Sequence, residues 1–212
     1  SSLGWRPAAV AVAGLALALL LPATPDAVSA GMAQWLALCG GFVLPGGGDV
    51  APTYYGQSPV PQLTSTDRLR DNVELTLCRA AAQHKKPLLG ICLGMQLLFD
   101  KSFEYGEHAG LGLIPGEVCP LADDLTDSSL KVPHIGWNAL DIVPGRENDP
   151  LFKYVKNGEY VYYVHSYYAK NCAASTLATS EYSIPVTGAV RSGNVYGTQF
   201  HPEKSGDTGL RL

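Results

Sequence analysis

Cys92 stands between Gly90 and Gly94, directly after an apolar run at 87–91. This is the G-x-C-x-G spacing of a nucleophile elbow, in which a sharp turn from strand to helix pushes the central side chain out of a sheet. Flanking glycines let the backbones crowd together. The N-terminus of the helix favours negative charge on a thiolate and on a nearby oxyanion. The spacing predicts a nucleophilic cysteine; the alternative is a small buried cysteine in a glycine-rich turn.

A nucleophilic cysteine needs a base, and His201 is the best placed of the five histidines. It follows an apolar strand and lies two residues before Glu203. In an extended chain these two side chains point the same way, so Glu203 would orient and charge-stabilise the imidazole, as the acid of a triad does. The alternative is a surface His-Pro-Glu turn. We expect His84 at a solvated helix end and His108 in a polar loop.

The elements that must position these residues alternate between strand and helix in the first half of the chain. The pattern predicts short buried strands at 41–44 and 87–91. It predicts one helix from Asp67, its N-cap, to His84, and a second helix over 94–100. Such a succession is typical of an α/β domain with a largely parallel sheet.

The second half of the chain has a different pattern, rich in aromatic and β-branched residues that favour strands. We predict strands at 132–140, 160–168, 187–191 and 194–200. Ser192, Gly193 and Asn194 are typical of a hairpin turn.

Composition limits the classes of protein to consider. A chain of 212 residues is long enough for one domain with a substantial core. The net charge of −4 argues against nucleic acid as a main partner. The five cysteines are odd in number and lack a C-x-x-C pair, which argues against a disulfide framework or a zinc ribbon. A reducing cytosol is the simplest location.

Near the amino terminus, Ala8 to Leu21 is apolar, with Arg6 in front. This segment is compatible with a signal peptide, but it is too short for a bilayer span, which takes about 20 apolar residues. We favour a helix end that runs into a core strand at 15–21, ended by Pro22.

Two distant motifs together resemble the class I glutamine amidotransferases: Gly-Ile-Cys-Leu-Gly-Met-Gln at 90–96 and Gln-Phe-His-Pro-Glu-Lys-Ser at 199–205. Four stretches resemble one member of that family, the glutaminase subunit of imidazole glycerol phosphate synthase: 87–118, 131–138, 162–169 and 195–212. Three other stretches resemble the gamma-glutamyl-peptide hydrolases: 19–26, 41–56 and 70–74. The resemblance implies a flavodoxin-like α/β fold, with a mostly parallel central sheet flanked by helices and a smaller antiparallel portion. We expect residues 1–212 to form a single domain that is truncated at both ends.

The resemblance also implies catalytic roles. Cys92 would be the nucleophile, His201 the base and acid, and Glu203 the orienting carboxylate. The backbone N–H groups of Leu93 and Gly47 would form the oxyanion hole, and glycine suits the second position because the peptide there can need a positive φ. An ordinary turn and a phosphate cradle are the alternatives for the Gly46–Gly48 loop.

The remaining roles concern substrate and partner. The resemblance implies that glutamine is held by Gly48, Gln96, His165, Ser166 and Tyr167. A cyclase partner would be contacted by exposed residues of the 131–138 stretch, namely His134, Trp137 and Asn138. The alternatives are a surface glutamine, an ordinary aromatic strand and a core tryptophan. No metal or organic cofactor is implied.

The function that follows is a cytoplasmic glutaminase. It would release ammonia from L-glutamine through a glutamyl thioester and pass it to a cyclase subunit, in a heterodimer that serves histidine biosynthesis. Neither nucleic acid nor membrane would be a partner. The alternatives are a stand-alone gamma-glutamyl-peptide hydrolase and a catalytically inactive hybrid scaffold.

Overall fold

The computed structural model describes residues 7–13, 17–22, 24, 28, 31–47, 50, 51 and 66–212. The chain divides into two compact units, residues 1–89 and 90–212. A single domain over 1–212 stays a prediction.

The first unit carries strands and helices in alternation after an initial pair of strands. Its elements are β1 (Pro7–Ala13), β2 (Leu17–Pro22), α1 (Met32–Leu38), β3 (Gly41–Leu44), α2 (Arg68–Gln83) and the start of β4 (Leu88–Ile91). The strand order is β2-β1-β3-β4. The strands predicted at 41–44 and 87–91 are therefore confirmed.

The amino-terminal segment differs from our expectation. β1 pairs antiparallel with β2, from Pro7 opposite Pro22 to Ala13 opposite Leu17, and antiparallel with β3. The predicted core strand is present as β2, but a strand takes the place of the helix end expected before it. A short apolar run does not distinguish a buried helix from a strand by periodicity, and β1 gains hydrogen-bonded neighbours on both edges.

Helix α2 begins where the sequence predicts. The Asp67 side chain accepts hydrogen bonds from the backbone N–H groups of Leu69 and Arg70, at 3.1 Å each. This satisfies two of the donors that a helix start leaves free. Val73 and Leu77 are fully buried on its inner face, and His84 caps the other end at an exposed position.

The second unit is rich in strands. Its elements are α3 (Leu93–Gln96), β5 (Lys101–Ser102), β6 (His108–Ala109), β7 (Glu117–Pro120), β8 (His134–Ala139), β9 (Asp141–Ile142), β10 (Tyr160–His165), β11 (Tyr167–Lys170), β12 (Thr176–Glu181), β13 (Pro185–Ser192), β14 (Val195–Thr198) and α4 (Gly206–Leu210). Short 3-10 turns occupy Leu121–Asp123, Pro150–Phe152 and Pro202–Lys204. The strand orders are β4-β14-β13-β12-β9, β10-β8 and β11-β7-β5-β6.

The α/β class is confirmed, and its antiparallel portion lies mainly in this second unit. β12 pairs antiparallel with β13, and β13 with β14. The predicted hairpin turn joins the latter two, with Ser192 opposite Val195 and Gly193 at φ 60°. The strand predicted at 160–168 is interrupted at Ser166, because β10 pairs with β8 whereas β11 pairs with β7.

The main core of the second unit supports the strands that carry the site. Tyr163 and Val161 of β10 alternate inward and are fully buried, and so is Phe200, directly before His201. Alternation of this kind is what a half-buried strand requires. The core comprises Leu140, Phe152, Val155, Val161, Tyr163, Leu177, Ala178, Ala189 and Phe200.

Candidate active site

Cys92 occupies the turn between β4 and α3, at φ 53° and ψ −111°. A non-glycine residue with positive φ is strained, and such strain persists only where the surroundings hold it. Here the Cys92 N–H donates to the Thr198 carbonyl at 2.7 Å, and the Cys92 carbonyl accepts from Gln96 N–H at 3.1 Å. The turn therefore has the form of the predicted elbow.

Two positions around the elbow require glycine because a side chain would clash with its neighbours. A Cβ on Gly90 would lie 2.7 Å from the Met95 nitrogen and still closer to the Gly94 carbonyl. A Cβ on Gly197 would lie 2.6 Å from the Met95 side chain. Because the first obstruction is backbone, no side-chain movement would relieve it.

The sulfur of Cys92 lies between a carbonyl and an amide. The thiol donates to the Val164 carbonyl at 3.9 Å, and the Gln199 side-chain N–H donates to the sulfur at 3.7 Å. Burial raises the pKa of Cys92 to about 11; the Leu93 backbone N–H opposes this rise, and the Glu203 charge adds to it. A four-residue helix does not outweigh the burial, so the resting group is a thiol that needs a base.

His201 is arranged to act as an acceptor. Its Nδ1 lies 2.6 Å from Glu203 Oε1. A carboxylate only accepts, so Nδ1 carries the hydrogen and Nε2 of the neutral ring carries a lone pair. Nε2 is buried and has no hydrogen-bond partner among the residues that the structure describes. Glu203 therefore fixes the tautomer that a general base needs.

Strand β10 anchors both ends of the candidate site. The His201 N–H donates to the Tyr162 carbonyl at 2.9 Å, whereas the Cys92 thiol donates to the Val164 carbonyl. These two anchor points are two residues apart, about 7 Å along a strand. Ser205, which sequence reasoning missed, adds a second tie: its hydroxyl accepts from Tyr162 N–H at 3.0 Å and donates to the His201 carbonyl at 2.6 Å.

Three of the residues expected to hold substrate, Gln96, His165 and Tyr167, meet around the Tyr167 carbonyl. The Gln96 side-chain nitrogen donates to the Tyr167 carbonyl at 3.1 Å and to Gln199 Oε1 at 3.0 Å. The Nδ1 of His165 lies 2.8 Å from the same carbonyl. The Ser166 carbonyl accepts from Leu121 N–H. Gln96 is thus buried and bonded within the protein rather than a surface glutamine.

His165 continues into a second buried histidine. Its Nε2 lies 3.0 Å from His134 Nδ1, and His134 Nε2 lies 2.8 Å from Asn138 Oδ1. The Asn138 side-chain nitrogen donates to the Glu181 carbonyl, so its oxygen faces His134. The chain of contacts therefore ends in an acceptor at each end, the Tyr167 carbonyl and Asn138 Oδ1. Three contacts need three ring hydrogens, but two neutral imidazoles supply two. Burial lowers the pKa of both rings, that of His165 to about 4, and so disfavours the third hydrogen.

The three residues expected at a partner surface divide between two faces of β8. Trp137 is exposed and contacts the ring of Tyr162 edge-on, so the core-tryptophan alternative is wrong. His134 is buried, contrary to our expectation of an exposed histidine, because it has the opposite strand parity and stacks against Tyr182. Asn138 shares the parity of His134 and is half-buried.

The expected oxyanion donors lie in different units. Leu93 directly follows Cys92. Gly47 is exposed, and the Arg70 guanidinium occupies the space that a Cβ there would need. Its φ is not positive, so the left-handed backbone that favours glycine is not the conformation at this position. Gly48 lies outside the described residues.

Among the described residues, no group of three or more His, Cys, Asp or Glu side chains is placed to hold a metal ion. In the same part of the chain, no helix has the length and apolar character that a membrane crossing takes.

The chain matches two protein families. Class-I glutamine amidotransferases match over residues 64–210, and peptidase C26 matches over residues 6–100. The two matches overlap across α2 and the elbow.

Curated relatives match over more than half of the chain. Subunit HisH of imidazole glycerol phosphate synthase from Lacticaseibacillus casei is 56% identical over 132 residues, 62% of this chain and 60% of the relative. The subunit of the same name from Listeria monocytogenes serotype 4b is 54% identical over 127 residues, 60% of this chain and 58% of the relative. The chain therefore spans about 60% of the length of these relatives.

A solved structure supports the fold. The glutaminase domain of Trypanosoma brucei CTPS, with bound acivicin, superimposes with a TM-score of 0.55 at 18% identity, covering 91% of this chain and 77% of that chain.

Proposed function

Because the chain belongs to the class-I glutamine amidotransferase family, we propose that it releases ammonia from L-glutamine for imidazole glycerol phosphate synthesis in histidine biosynthesis. The relatives named as HisH subunits support this choice of pathway. The five cysteines are free, which fits a reducing compartment, and we place the activity in the cytoplasm.

One observation carries the proposal: Glu203 holds His201 in the tautomer whose buried Nε2 is an acceptor, and strand β10 anchors both the His201 backbone and the Cys92 sulfur. A base with a vacant, buried lone pair and a strained cysteine turn are the two parts that thiol catalysis needs. An inactive scaffold has no use for either, because both cost stability.

The reaction begins when His201 Nε2 takes the thiol proton and the Cys92 sulfur attacks the carboxamide carbon of glutamine. The carbonyl oxygen becomes an oxyanion, which the backbone N–H groups of Leu93 and Gly47 would stabilise, each by about 3–4 kcal/mol. Collapse breaks the C–N bond, and His201 gives its proton to the leaving ammonia. Water, deprotonated by His201, then cleaves the thioester and yields glutamate and the thiol.

Substrate binding is assigned by the same resemblance. Gly48, Gln96, His165, Ser166 and Tyr167 would hold glutamine. Because the Gln96 nitrogen is already bonded to Tyr167 and Gln199, its oxygen is the atom left to face a ligand. The amino acid end would lie against the 165–167 segment.

The partner we propose is a cyclase subunit, joined in a heterodimer. The outward face of β8 presents Ile135 and Trp137, both more than half exposed. Exposed aromatic residues of this kind anchor protein interfaces. His134 and Asn138 would support that face from its buried side.

The test measures glutamate and ammonia formed from L-glutamine by the full chain, with and without the cyclase subunit of an imidazole glycerol phosphate synthase. We expect weak activity alone and a strong rise with the partner. Cys92→Ala should abolish turnover and leave the melting temperature unchanged, and activity retained in this variant would refute the assignment. Partner-independent cleavage of gamma-glutamyl amines would instead indicate the peptidase C26 activity that the 6–100 match allows.

A further inference from the structure

Two groups fix the direction in which the Gln199 amide points, the Tyr167 carbonyl and the Gln96 side chain. The Tyr167 carbonyl only accepts, so the Gln96 nitrogen must face it. The second hydrogen of that nitrogen is donated to Gln199 Oε1, which sets the orientation of the Gln199 amide. The Gln199 nitrogen is therefore the atom that faces the Cys92 sulfur at 3.7 Å.

The Gln199 side chain is held firmly. It is fully buried, and its backbone N–H donates to the Gly188 carbonyl at 2.8 Å. A buried amide is costly unless its polar atoms are paired. Here the oxygen is paired with Gln96, and the nitrogen points to the sulfur.

We infer that Gln199 is a positioning residue for Cys92, whose side-chain N–H holds the sulfur and stabilises its thiolate. This role rests on the proposed function, in which that sulfur is the nucleophile.

The two neighbours of the sulfur act differently when the thiol loses its proton. As a thiol, the sulfur donates to the Val164 carbonyl and accepts from Gln199. As a thiolate it has nothing to donate, so the carbonyl becomes an unfavourable neighbour while the amide contact strengthens. Ionisation therefore moves the sulfur away from Val164 and towards Gln199. A hydrogen bond to the charged form lowers a pKa, so Gln199 opposes the effect of burial.

The experiment follows the rate of iodoacetamide alkylation of Cys92 against pH, with each cysteine resolved by peptide mass mapping. Gln199→Glu keeps the shape and the acceptor for Gln96 but removes the donor to the sulfur. Gln199→Met removes the amide without adding charge. In both variants we expect the alkylation profile to move to higher pH by about one to two units, the effect of one hydrogen bond to a charged group.

Thr187→Val is the matched control. The Thr187 hydroxyl is buried, donates to the Ala169 carbonyl and lies 3.8 Å from the sulfur of another cysteine, Cys172. Its loss should lower stability and leave the Cys92 profile unchanged. Folded Gln199 variants with an unchanged Cys92 profile would overturn the proposal and leave Gln199 a structural residue.

The wild-type chain offers a measurement that needs no folded variant. The side-chain amide signals of Gln199 in a ¹⁵N spectrum should titrate in step with the Cys92 alkylation profile; signals that stay constant through it would also overturn the proposal. Neither readout requires glutamine. If no ammonia is released, the proposed function fails while the profiles still decide the role of Gln199. If ammonia is released and the profiles do not move, the role of Gln199 alone fails.

Discussion

At the scale of single residues, the candidate site depends on buried polar groups that satisfy one another. Ser205 is the clearest case, since one hydroxyl closes contacts to both backbone groups that border His201. Removing it would take this partner from the Tyr162 N–H, whereas the His201 carbonyl would still accept from the Lys204 N–H. A buried group left unpaired costs more than the hydrogen bond itself was worth.

We expect Ser205→Ala to lower the free energy of unfolding by about 1–3 kcal/mol and to lower glutaminase turnover more than glutamine affinity, because the turn that bears His201 loosens. Urea denaturation and steady-state kinetics measure the two effects. Ser129→Ala, which removes an exposed hydroxyl bonded to Asp127, should change stability by less than about 0.5 kcal/mol. Equal losses in the two variants would contradict the role of Ser205.

Thr198 presents the opposite case. Its hydroxyl is fully buried and, within the described part of the chain, has no hydrogen-bond partner. Thr198→Val replaces it with a methyl group of similar shape and should raise the free energy of unfolding by about 1 kcal/mol. Thr187→Val, on the neighbouring strand β13, removes a hydroxyl that is bonded and should lower it by a similar amount. Urea denaturation of both variants checks the opposite signs.

Sequence reasoning succeeded at this scale where the signal is local. The spacing around Cys92 predicted the elbow, and the two-residue interval predicted the contact between His201 and Glu203. It missed Gln199 and Ser205, although both lie in the quoted 199–205 motif. Each has a partner far away in sequence, 43 residues for Ser205 and 107 for Gln199, so their roles depend on which strands become neighbours. A polar residue within an apolar strand was the one available signal.

At the scale of elements, the sequence again predicted what depends on local contacts and missed what depends on contacts distant in sequence. Asp67 predicted the start of α2 because capping is a contact within one turn. The helix predicted over 94–100 ends at Gln96, since Leu111, Leu113 and Ile114 donate to carbonyls at 97 and 98 that a longer helix would use. No periodicity in the sequence reports such a competing contact.

Gly90 packs closely against the backbone of the short helix α3. Gly90→Ala would press a methyl group against the backbone of Gly94 and Met95, and we expect a loss of about 3 kcal/mol or more together with loss of activity. Gly145→Ala is the control: its φ of 87° is strained, but nothing lies within 4 Å of the added Cβ, so a loss of about 1–2 kcal/mol is expected. Thermal melting compares the two, and a harmless Gly90→Ala would contradict the crowded elbow.

Helix α2 carries a buried carboxyl whose titration should affect stability. Glu74 accepts from Arg70 Nε at 2.7 Å, yet burial raises its pKa to about 7, with Asp71 and Asp67 adding to the rise and Arg70 opposing it. Between pH 4.5 and 7 the folded chain binds this proton more tightly than the unfolded chain. Stability from this group is therefore complete below about pH 4.5 and is lost as pH rises through about 7.

Glu74→Gln keeps an acceptor for Arg70 and cannot ionise. Relative to this variant, we expect the wild-type chain to lose up to about 3 kcal/mol of stability between pH 5 and pH 8. Urea denaturation at the two pH values measures the difference. Parallel pH curves for the two proteins would show that Glu74 does not titrate in this range.

At the scale of the whole molecule, the two family matches divide the chain unevenly. The peptidase C26 match accounts for the first unit and ends near the elbow, whereas the amidotransferase match begins at α2 and includes every residue proposed for the triad. Cys92 and His201, the proposed nucleophile and base, both lie within the unit of residues 90–212. The sequence resemblance predicted that the front of the chain and the remainder would resemble different groups, as the two matches do.

The five free cysteines lie in both units, so their labelling rates report on several described environments in one experiment. Cys39, Cys78 and Cys172 are at most 5% exposed, whereas Cys119 is half-buried. Burial raises the pKa of Cys119, Cys39 and Cys78 and raises that of Cys92 to about 11. At pH 7.5 and without ligand, we expect iodoacetamide to label Cys119 first, Cys92 slowly, and the other three only in urea.

The pH dependence of this pattern distinguishes two states of the site. The thiolate is the reactive form, so labelling of a neutral Cys92 should accelerate about tenfold per pH unit below its pKa. In urea all five thiols should react at similar rates, because the environments that separate them are gone; this is the control, read by peptide mass mapping. Rapid, pH-independent labelling of Cys92 near neutrality would contradict the prediction, since it would mean that His201 already holds the proton in the resting chain.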